Sequence, residues 1–435
     1  DVAHCRRDTE IVWRFVDRML RRYDDLGLSL RATLPSMALQ LFQKKFYRRP
    51  FARVPEHIVD WLRAGYYGGR VEVYRFGPVP GPVRHYDVNS LFPSVMVNGV
   101  YPNPATWRMV RTPDLTKEGM ATVLIRVPET AYPVLPVRGE MDILYPYGVL
   151  FGTWPYPELR QAMADGAEIL RCAGAVEFDS IPTPFKGYVR YCYAQRKAAT
   201  HPMDNVVWKL FMNSLYGKFG QRPGLEMIYQ DEVRVLETEP GPAANVVWAA
   251  YVTCLARLRL LAYLRGTSAC YYTDTDSLFT PDILSVGPNL GELKLEGVYA
   301  GMEAVGNKLY TFTVDGPHGS CKMLGLHAHY KAKGVKGDGS ERGRQVVTVD
   351  GQMMTEGERT ARDFIRTGRA VYRKPARLRE SRRGFAVANK WYEVEKRRNA
   401  VYTKRIIHRD GTTEPWEWSC SQREHQLSSA SYSDL

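Results

Sequence analysis

A chain of 435 residues that is 44% hydrophobic and 25% charged has an ordinary globular composition, long enough to bury a large core and to hold about three domain-sized units. Its seven cysteines (Cys5, Cys172, Cys192, Cys254, Cys270, Cys321 and Cys420) are odd in number, widely spaced and without a C-x-x-C pair, which excludes a disulfide scaffold, a disulfide-linked partner and a structural zinc site. An excess of 60 Lys and Arg over 47 Asp and Glu, net +13, favours a polyanionic partner, meaning nucleic acid or an anionic membrane surface.

In chain order, residues 9–24 predict an amphipathic helix with Ile11, Val12, Phe15, Val16, Met19 and Leu20 on one face. A second helix is expected over about 34–47. Residues 70–76 alternate like a strand and end at Gly77-Pro78. From 77 to 157 Pro and Gly are dense between short apolar runs, which favours strands and turns. Residues 157–166, 184–219 and 245–265 have helical spacing. Val246 to Ala256 stops at Arg257, short of the roughly 18 apolar residues a spanning helix needs, and predicts a buried core helix; no membrane partner is expected. Residues 268–280, SACYYTDTDSLFT, predict a β-hairpin, and 290–314 further strands. Residues 341–410 hold 19 Lys and Arg against 9 Asp and Glu, a net of +10. The Ser-rich last seven residues are expected to fray.

Three segments carry the chemistry. Tyr86-Asp87-Val88-Asn89-Ser90-Leu91-Phe92-Pro93 predicts a strand end running into a helix start, with Asp87 where the strand finishes. In Lys209-Leu210-Phe211-Met212-Asn213-Ser214-Leu215-Tyr216-Gly217, positions 209, 213 and 216 share one helix face. Lys, Asn and Tyr on one stripe make a poor core but a good surface for a phosphate, a sugar and a base. The third segment, Tyr272-Thr273-Asp274-Thr275-Asp276-Ser277, falls at the hairpin turn. Each segment alone is ordinary, an Asx turn or a helix start; it is the order and separation of the three that is informative. Hard divalent cations take oxygen ligands, and Asp87 and Asp276 on neighbouring strands suit two ions roughly 3.5–4 Å apart.

These segments resemble motifs A, B and C of the family B DNA polymerases, D-x-x-S-L-Y-P, K-x-x-x-N-S-x-Y-G and Y-x-D-T-D-S. The similarity is to the protein-primed branch of phages, linear plasmids and organellar elements. Tyr66-Tyr67-Gly68-Gly69 resembles that branch's Y-x-G-G element, which touches template. Thr253-Cys254-Leu255-Ala256-Arg257 resembles T-x-x-A-R, a primer-strand contact, and Lys308-Leu309-Tyr310 resembles K-x-Y, which holds the primer terminus. In a strand, Lys308 and Tyr310 would point to one face. The resemblance runs to about residue 336.

The resemblance implies Asp87 and Asp276 as the principal metal ligands, with Asp274 supporting them. It implies Lys209, and on the preceding helix Arg196 and Lys197, as partners of the incoming triphosphate. Leu91, Phe92, Asn213 and Tyr216 would line the nucleotide and the nascent base pair. Tyr66, Gly68, Gly69, Thr253, Arg257, Lys308 and Tyr310 would contact DNA. Lys331 and Lys333 would track the primer backbone, with a plain surface role as the alternative. His327 and His329 read as a strand-surface pair, and Trp391, Trp416 and Trp418 either as packing or as base-stacking rings. The implied cofactors are two Mg²⁺ ions, with Mn²⁺ as a substitute, and the implied substrate is a dNTP. The implied partners are primer-template DNA and, with protein-primed, primer-dependent and primer-independent synthesis all left open, a terminal protein as primer. The expected location is the cytoplasm of a bacterial or phage-infected cell, with organelle and virion left open.

Two departures stand out. Phe92 replaces the Tyr of S-L-Y-P, whose ring packs on the sugar and blocks a ribose 2′-hydroxyl; the ring is kept and the phenol lost. His4-Cys5-Arg6-Arg7-Asp8 resembles the third exonuclease motif, Y-x-x-x-D, while the D-x-E pair has no counterpart here. Asp8 alone cannot assemble two-metal hydrolysis, so no proofreading is expected from this chain.

The expected fold class is α+β, a right-hand polymerase. Residues 1–20 would be an exonuclease remnant and 21–86 a connecting segment. Residues 87–183 would be palm with a terminal-protein-type insertion at about 105–180. Fingers are expected at 184–219, palm again at 220–340, with a compact second insertion between Gly217 and Thr253, and a basic thumb and tail at 341–435. The expected reaction is template-directed DNA synthesis; the alternatives are a catalytically retired DNA-binding module and a reverse transcriptase.

Overall fold

In a computed structural model of the chain, the structure describes residues 2–313 apart from 32, 53, 140–141, 222–224, 231 and 238–243. It further describes the strands 328–332, 346–349, 352–355, 369–375 and 391–397, residue 367, and residues 402–419.

A seven-stranded antiparallel sheet forms the centre. Its order is Val71–Val73, Tyr272–Asp274, Ser277–Thr280, Gly77–Val88, Leu293–Gly306, Leu309–Thr313, Ala328–Ala332. Period-two alternation gives the sheet two apolar faces. Tyr86, Val88, Leu278 and Leu293 face one cluster, while Val73, Val79, Val83, Tyr272, Phe279, Met302 and Phe312 form the other. Asp87 falls between Tyr86 and Val88 in sequence and therefore projects to the opposite side from them.

Eight helices accompany the strands among the described residues: α1 (Val2–Asp25), α2 (Leu34–Leu41), α3 (Glu56–Arg63), α4 (Leu91–Val97), α5 (Tyr156–Ala164), α6 (Lys186–Ala198), α7 (Pro202–Phe219) and α8 (Val246–Arg265). α2 starts where the Thr33 hydroxyl accepts from the Ser36 amide, and α8 where Asn245 Oδ1 accepts from the Trp248 amide. The single helix expected over 34–47 ends at Leu41 and gives way to one π turn, Phe42–Phe46. That turn carries Phe42 into an aromatic cluster with Phe185, Tyr188 and Phe219. α1 buries less of its apolar face than the spacing predicts. Phe15 and Met19 pack on the core, whereas Ile11, Val12 and Val16 are exposed. α8 is long and apolar enough to cross a membrane by length and composition, yet most of it is buried in the protein. It runs past Arg257 because that charge is itself buried against Glu158.

Residues 108–178, inside the expected insertion, contribute four strands to a separate sheet. Its order is Glu417–Trp418, Tyr147–Pro155, Glu118–Val127, Glu168–Phe178, Arg108–Val110. α5 packs over it through Tyr156, Leu159 and Ala162. Between α7 and α8 the chain makes the two-stranded hairpin Leu225–Gln230 and Glu232–Glu237.

Of the basic thumb and tail expected over 341–435, the longest stretch the structure describes is residues 402–419. Residues 402–419 fold back as a strap across both sheets. The Val73 amide donates to Tyr402 Oη and Lys404 Nζ to the Val71 carbonyl, each at 2.8 Å. Glu417–Trp418 then pairs in parallel with Tyr147–Gly148. Lys404 and Arg405, two of the basic residues expected on an exposed thumb face, are 6% and 3% exposed. Trp416 donates its indole N–H to the Thr403 carbonyl, and Trp418 packs on the second sheet's core.

Candidate active site

The register of the central sheet places Asp87 opposite Ser277 on one side and opposite Lys294 on the other. The Val88 amide donates to the Asp276 carbonyl at 2.7 Å, joining the two strands at their acidic ends. The Asp-Thr-Asp turn is tight. The Asp276 amide donates to the Asp274 carbonyl, and the Thr275 amide to the Arg70 carbonyl, both at 2.7 Å. Thr275 takes φ +65°, a left-handed conformation costly for a β-branched residue and so held by its surroundings.

The electrostatics mark Asp87 and Asp276 as a pair. Burial pushes the Asp87 carboxyl up to about 7; Asp276 and Glu296 add to the push, and Lys209 and Lys294 oppose it. Asp276 is raised by burial and then by Asp274, against Lys308 and Lys209. Half-buried carboxylates raised by burial and by neighbouring acidic groups suit a hard cation, which removes the repulsion. The donor set therefore fits a divalent ion at Asp87 and Asp276, with further positions left for phosphate oxygens and water. Among the described residues no group of three His, Cys, Asp or Glu is arranged to hold a metal. Asp274, the expected third member, is buried and ion-paired to Lys308.

Lys308 and Tyr310 do not share a strand face as expected. Lys308 sits in the turn before Leu309–Thr313 at φ +57°, its amide donating to Tyr272 Oη at 2.8 Å. Tyr310 is buried among Tyr272, Phe279 and Phe312. The left-handed turn is what brings the Lys308 ammonium to Asp274.

The stripe on α7 faces the acidic pair. Lys209 is exposed and acts on both carboxylates. Asn213 Oδ1 is buried with no hydrogen-bond partner, an acceptor without its donor. Tyr216 stacks on Phe92 with ring centroids 4.5 Å apart and planes 19° apart, so the two motifs meet through their aromatic rings. Burial pushes the Tyr216 phenol up to about 12, with the Tyr66 phenol and the Asp276 carboxylate as neighbours that add to the push. On α6, Arg196 donates long hydrogen bonds of 3.4 Å to the Ser90 hydroxyl and to Asn205 Oδ1, and Lys197 reaches over the Tyr193 ring. Both line an open cleft of about 240 Å³ with Asn89 and Ser90, two and three residues past Asp87. Leu91 does not line it. Its side chain is 1% exposed in the core beside Tyr86 and α8, because the left-handed Ser90 turns it inward.

The expected DNA contacts separate into two groups. Tyr66 is half-buried near Tyr216. Gly68 and Gly69 lead into Arg70, and a Cβ on Gly69 would lie 2.7 Å from Thr275 Cγ2. Gly69→Ala is therefore expected to displace the acidic turn and slow the reaction about 10²-fold. Thr275→Gly, which suits φ +65°, should restore part of the rate in a steady-state assay of the double variant. Thr253 and Arg257, by contrast, are internal at 4% and 3% exposure. The Thr253 hydroxyl donates to the Ala250 carbonyl, and Arg257 is committed to Glu158, Tyr67 and Gly68. Neither side chain reaches a surface where a strand could lie, which corrects their assignment as direct contacts. Lys331 pairs with Tyr310 through its strand backbone. Lys333 and His327 lie outside the described residues. Asp8 is exposed on α1.

Sequence reasoning missed the support beneath the turn. Arg70 is 1% exposed, its guanidinium 4.0 Å from the Tyr145 ring and bonded to Glu72 at 2.6 Å. Glu72 also meets Arg405 at 3.4 Å. Arg138 stacks 4.2 Å over Tyr67 and donates to the Tyr66 carbonyl. Arg70 and Glu72, two apart in a strand, signal a same-face pair; nothing in the sequence signals Arg405 or Arg138.

Comparison with known proteins agrees with this geometry. Residues 2–238 match the family DNA polymerase type B, organellar and viral. The chain is 27% identical over 316 residues to the DNA-directed DNA polymerase of Enterobacteria phage PRD1, covering 65% of this chain and 55% of that protein. It is 24% identical over 364 residues to a probable DNA polymerase of Neurospora intermedia, covering 71% and 37%. The chain thus spans about half or less of the length of these relatives. Among solved structures it is similar to phi29 DNA polymerase in an orthorhombic crystal form, with a TM-score of 0.60 at 18% identity over 78% of this chain and 69% of that one. It is also similar to phi29 DNA polymerase complexed with primer-template DNA, with a TM-score of 0.59 at 19% identity over 77% and 68%. At such identities the likeness is one of fold, the right-hand polymerase fold of mixed α and β structure. With the family match running through the Asp87 strand and both helices α6 and α7, the chain belongs to the organellar and viral type B DNA polymerases.

Proposed function

We propose that the chain is a DNA-directed DNA polymerase extending a primer 3′-hydroxyl with dNTPs. The observation that carries the reading is the meeting of Asp87 and Asp276 with Lys209 and the unpartnered Asn213 oxygen. Divalent ions, Mg²⁺ foremost, would be held by Asp87 and Asp276 and would supply charge neutralisation at the reacting phosphate. Lys209, with Arg196 and Lys197 at the neighbouring cleft, neutralises the triphosphate tail and orients it. Phe92 and Tyr216 form a flat wall against which sugar and base are positioned. Catalysis by these side chains is positioning and electrostatics, with no proton held on a protein atom.

Mg²⁺-dependent extension of a labelled primer on a DNA template tests the reading. No extension by the wild-type protein, under conditions where it binds primer-template, would overturn it in favour of a binding module. Much faster synthesis on an RNA template would favour a reverse transcriptase. A mismatched 3′ end should be extended or left, and not trimmed, by this chain. We further propose a protein-linked primer, supported by the separate sheet of residues 108–178 between Asp87 and the helices.

Because the Phe92 ring stands in the sugar position, deoxynucleotides should be preferred without the phenol. Phe92→Val is expected to raise ribonucleotide use relative to deoxynucleotide about 10- to 100-fold, measured as the ratio of kcat/KM values. Efficient ribonucleotide incorporation by the wild type would sink this account.

A further inference from the structure

The guanidinium of Arg257 lies at the junction of three parts of the fold. Its Nε and Nη2 donate to the two carboxylate oxygens of Glu158 at 2.7 and 2.9 Å. Its Nη1 donates to the carbonyls of Tyr67 and Gly68, each at 2.8 Å. Four of the five N–H groups are thereby used inside the protein. Glu158 is 0% exposed and belongs to α5, which packs on the separate sheet formed by 108–178. The two carbonyls belong to the segment that continues into Gly69, packed hard on Thr275, and Arg70, whose carbonyl takes the Thr275 amide at 2.7 Å. Every link from Glu158 to the Asp274-Thr275-Asp276 turn is thus a hydrogen bond, an ion pair or a close contact.

We propose that Glu158 and Arg257 are a positioning pair. They fix Tyr67 to Gly69 and, through it, the acidic turn, so that the insertion reaches the reaction centre through α5. The proposal rests on the polymerase reading of that centre. It gives Arg257 a part in the reaction without contact to DNA, and it gives the same part to Glu158, an anion that no phosphate would tolerate as a neighbour.

The test compares Arg257→Met, Glu158→Leu and the double variant, with Glu158→Gln as a milder change. A single variant leaves one buried charge without its partner, whereas the double removes both, so it is the form more apt to fold. Both singles are expected to lower kcat by a similar factor, about 10- to 100-fold, and to raise the Mg²⁺ concentration for half-maximal rate. The Kd for primer-template should keep its slope against salt. The double variant should be no slower than either single. A backbone contact by Arg257 predicts otherwise: Arg257→Met would flatten the slope of log Kd against log salt by about 0.9, and Glu158→Leu or Glu158→Gln would keep the wild-type kcat. That pattern overturns the proposal. Hydrogen exchange supplies a readout independent of synthesis, since the Thr275 amide, which donates to the Arg70 carbonyl, should lose protection in Glu158→Gln. Unchanged protection there also overturns the proposal, whereas absent extension by the wild type with this protection change intact strikes only the polymerase reading.

Discussion

Asp87→Asn is expected to cost about 10³-fold or more in the rate of primer extension and, in EDTA, to make the protein more stable than the wild type. The two effects share one cause. Without a cation, Asp87 pays for burial and for the nearby charges of Asp276 and Glu296, which together hold its carboxyl at about 7. In the unfolded chain the same group titrates near 4. Between those values the folded state binds more protons than the unfolded state, so stability falls as pH rises through that window. Above it the penalty is complete, and Asn removes it. Discounted for solvent screening at a partly exposed group, the gain is about 1–2 kcal/mol. Thermal unfolding in EDTA at pH 5 and pH 8 measures it: the wild type should lose more stability between the two than Asp87→Asn does. Equal losses would mean that burial and the neighbouring carboxylates place no such penalty on Asp87, and the fit to a cation would lose its physical basis. Saturating Mg²⁺ should stabilise the wild type and leave the variant nearly unchanged.

Glu72→Ala is expected to destabilise the fold by about 3–5 kcal/mol, among the largest single effects available outside the apolar core. Glu72 is 0% exposed and lies between Arg70, at 2.6 Å, and Arg405, at 3.4 Å. Burial alone would raise its carboxyl, but Arg70 and Arg405 outweigh that and hold it below the usual range. Its stabilising contribution is therefore present above the ordinary carboxylate range and lost as the pH falls through the lowered value. Truncation leaves two guanidiniums in the interior with no counter-charge. Chemical unfolding monitored by fluorescence reads the loss. Glu10→Ala is the control: Glu10 and Arg14 form an exposed i,i+4 pair on α1, and removing it should cost no more than about 0.5 kcal/mol. A similar small cost at Glu72 would show that the arginines find other partners, and the support beneath the acidic turn would then be dispensable.

The centre of the site was legible because its signals are local. Asp87 ends a strand, the Asp-Thr-Asp turn joins two short strands, and Lys209, Asn213 and Tyr216 recur at helical spacing. In each case the side-chain direction follows from backbone periodicity within a few residues. What the sequence hid are environments made by distant partners. Arg257 looks like an exposed cation until Glu158, 99 positions away, neutralises it inside the protein. Arg405 looks like part of a basic surface until Glu72, 333 positions away, meets it. Lys308 was misplaced for a different reason: a non-glycine residue at φ +57° gives no sign in the sequence that a turn, rather than a strand, falls there. On α1, helical spacing identified an apolar stripe but not how much of it finds a neighbour.

The strap of residues 402–419 has a consequence for the order in which the molecule is made. Its Tyr402 and Lys404 hold Val73 and Val71, which lie on the edge strand beside the acidic hairpin, and its last strand extends the sheet of residues 108–178. Val73 thus emerges from the ribosome some three hundred residues before its partner Tyr402. Contacts of such separation close late and slowly. A chain arrested short of this point would carry both acidic residues and every helix described above, yet leave the edge of its central sheet without a cover. The contacts of this strap with Val71 and Val73 are therefore expected to form after the central sheet itself.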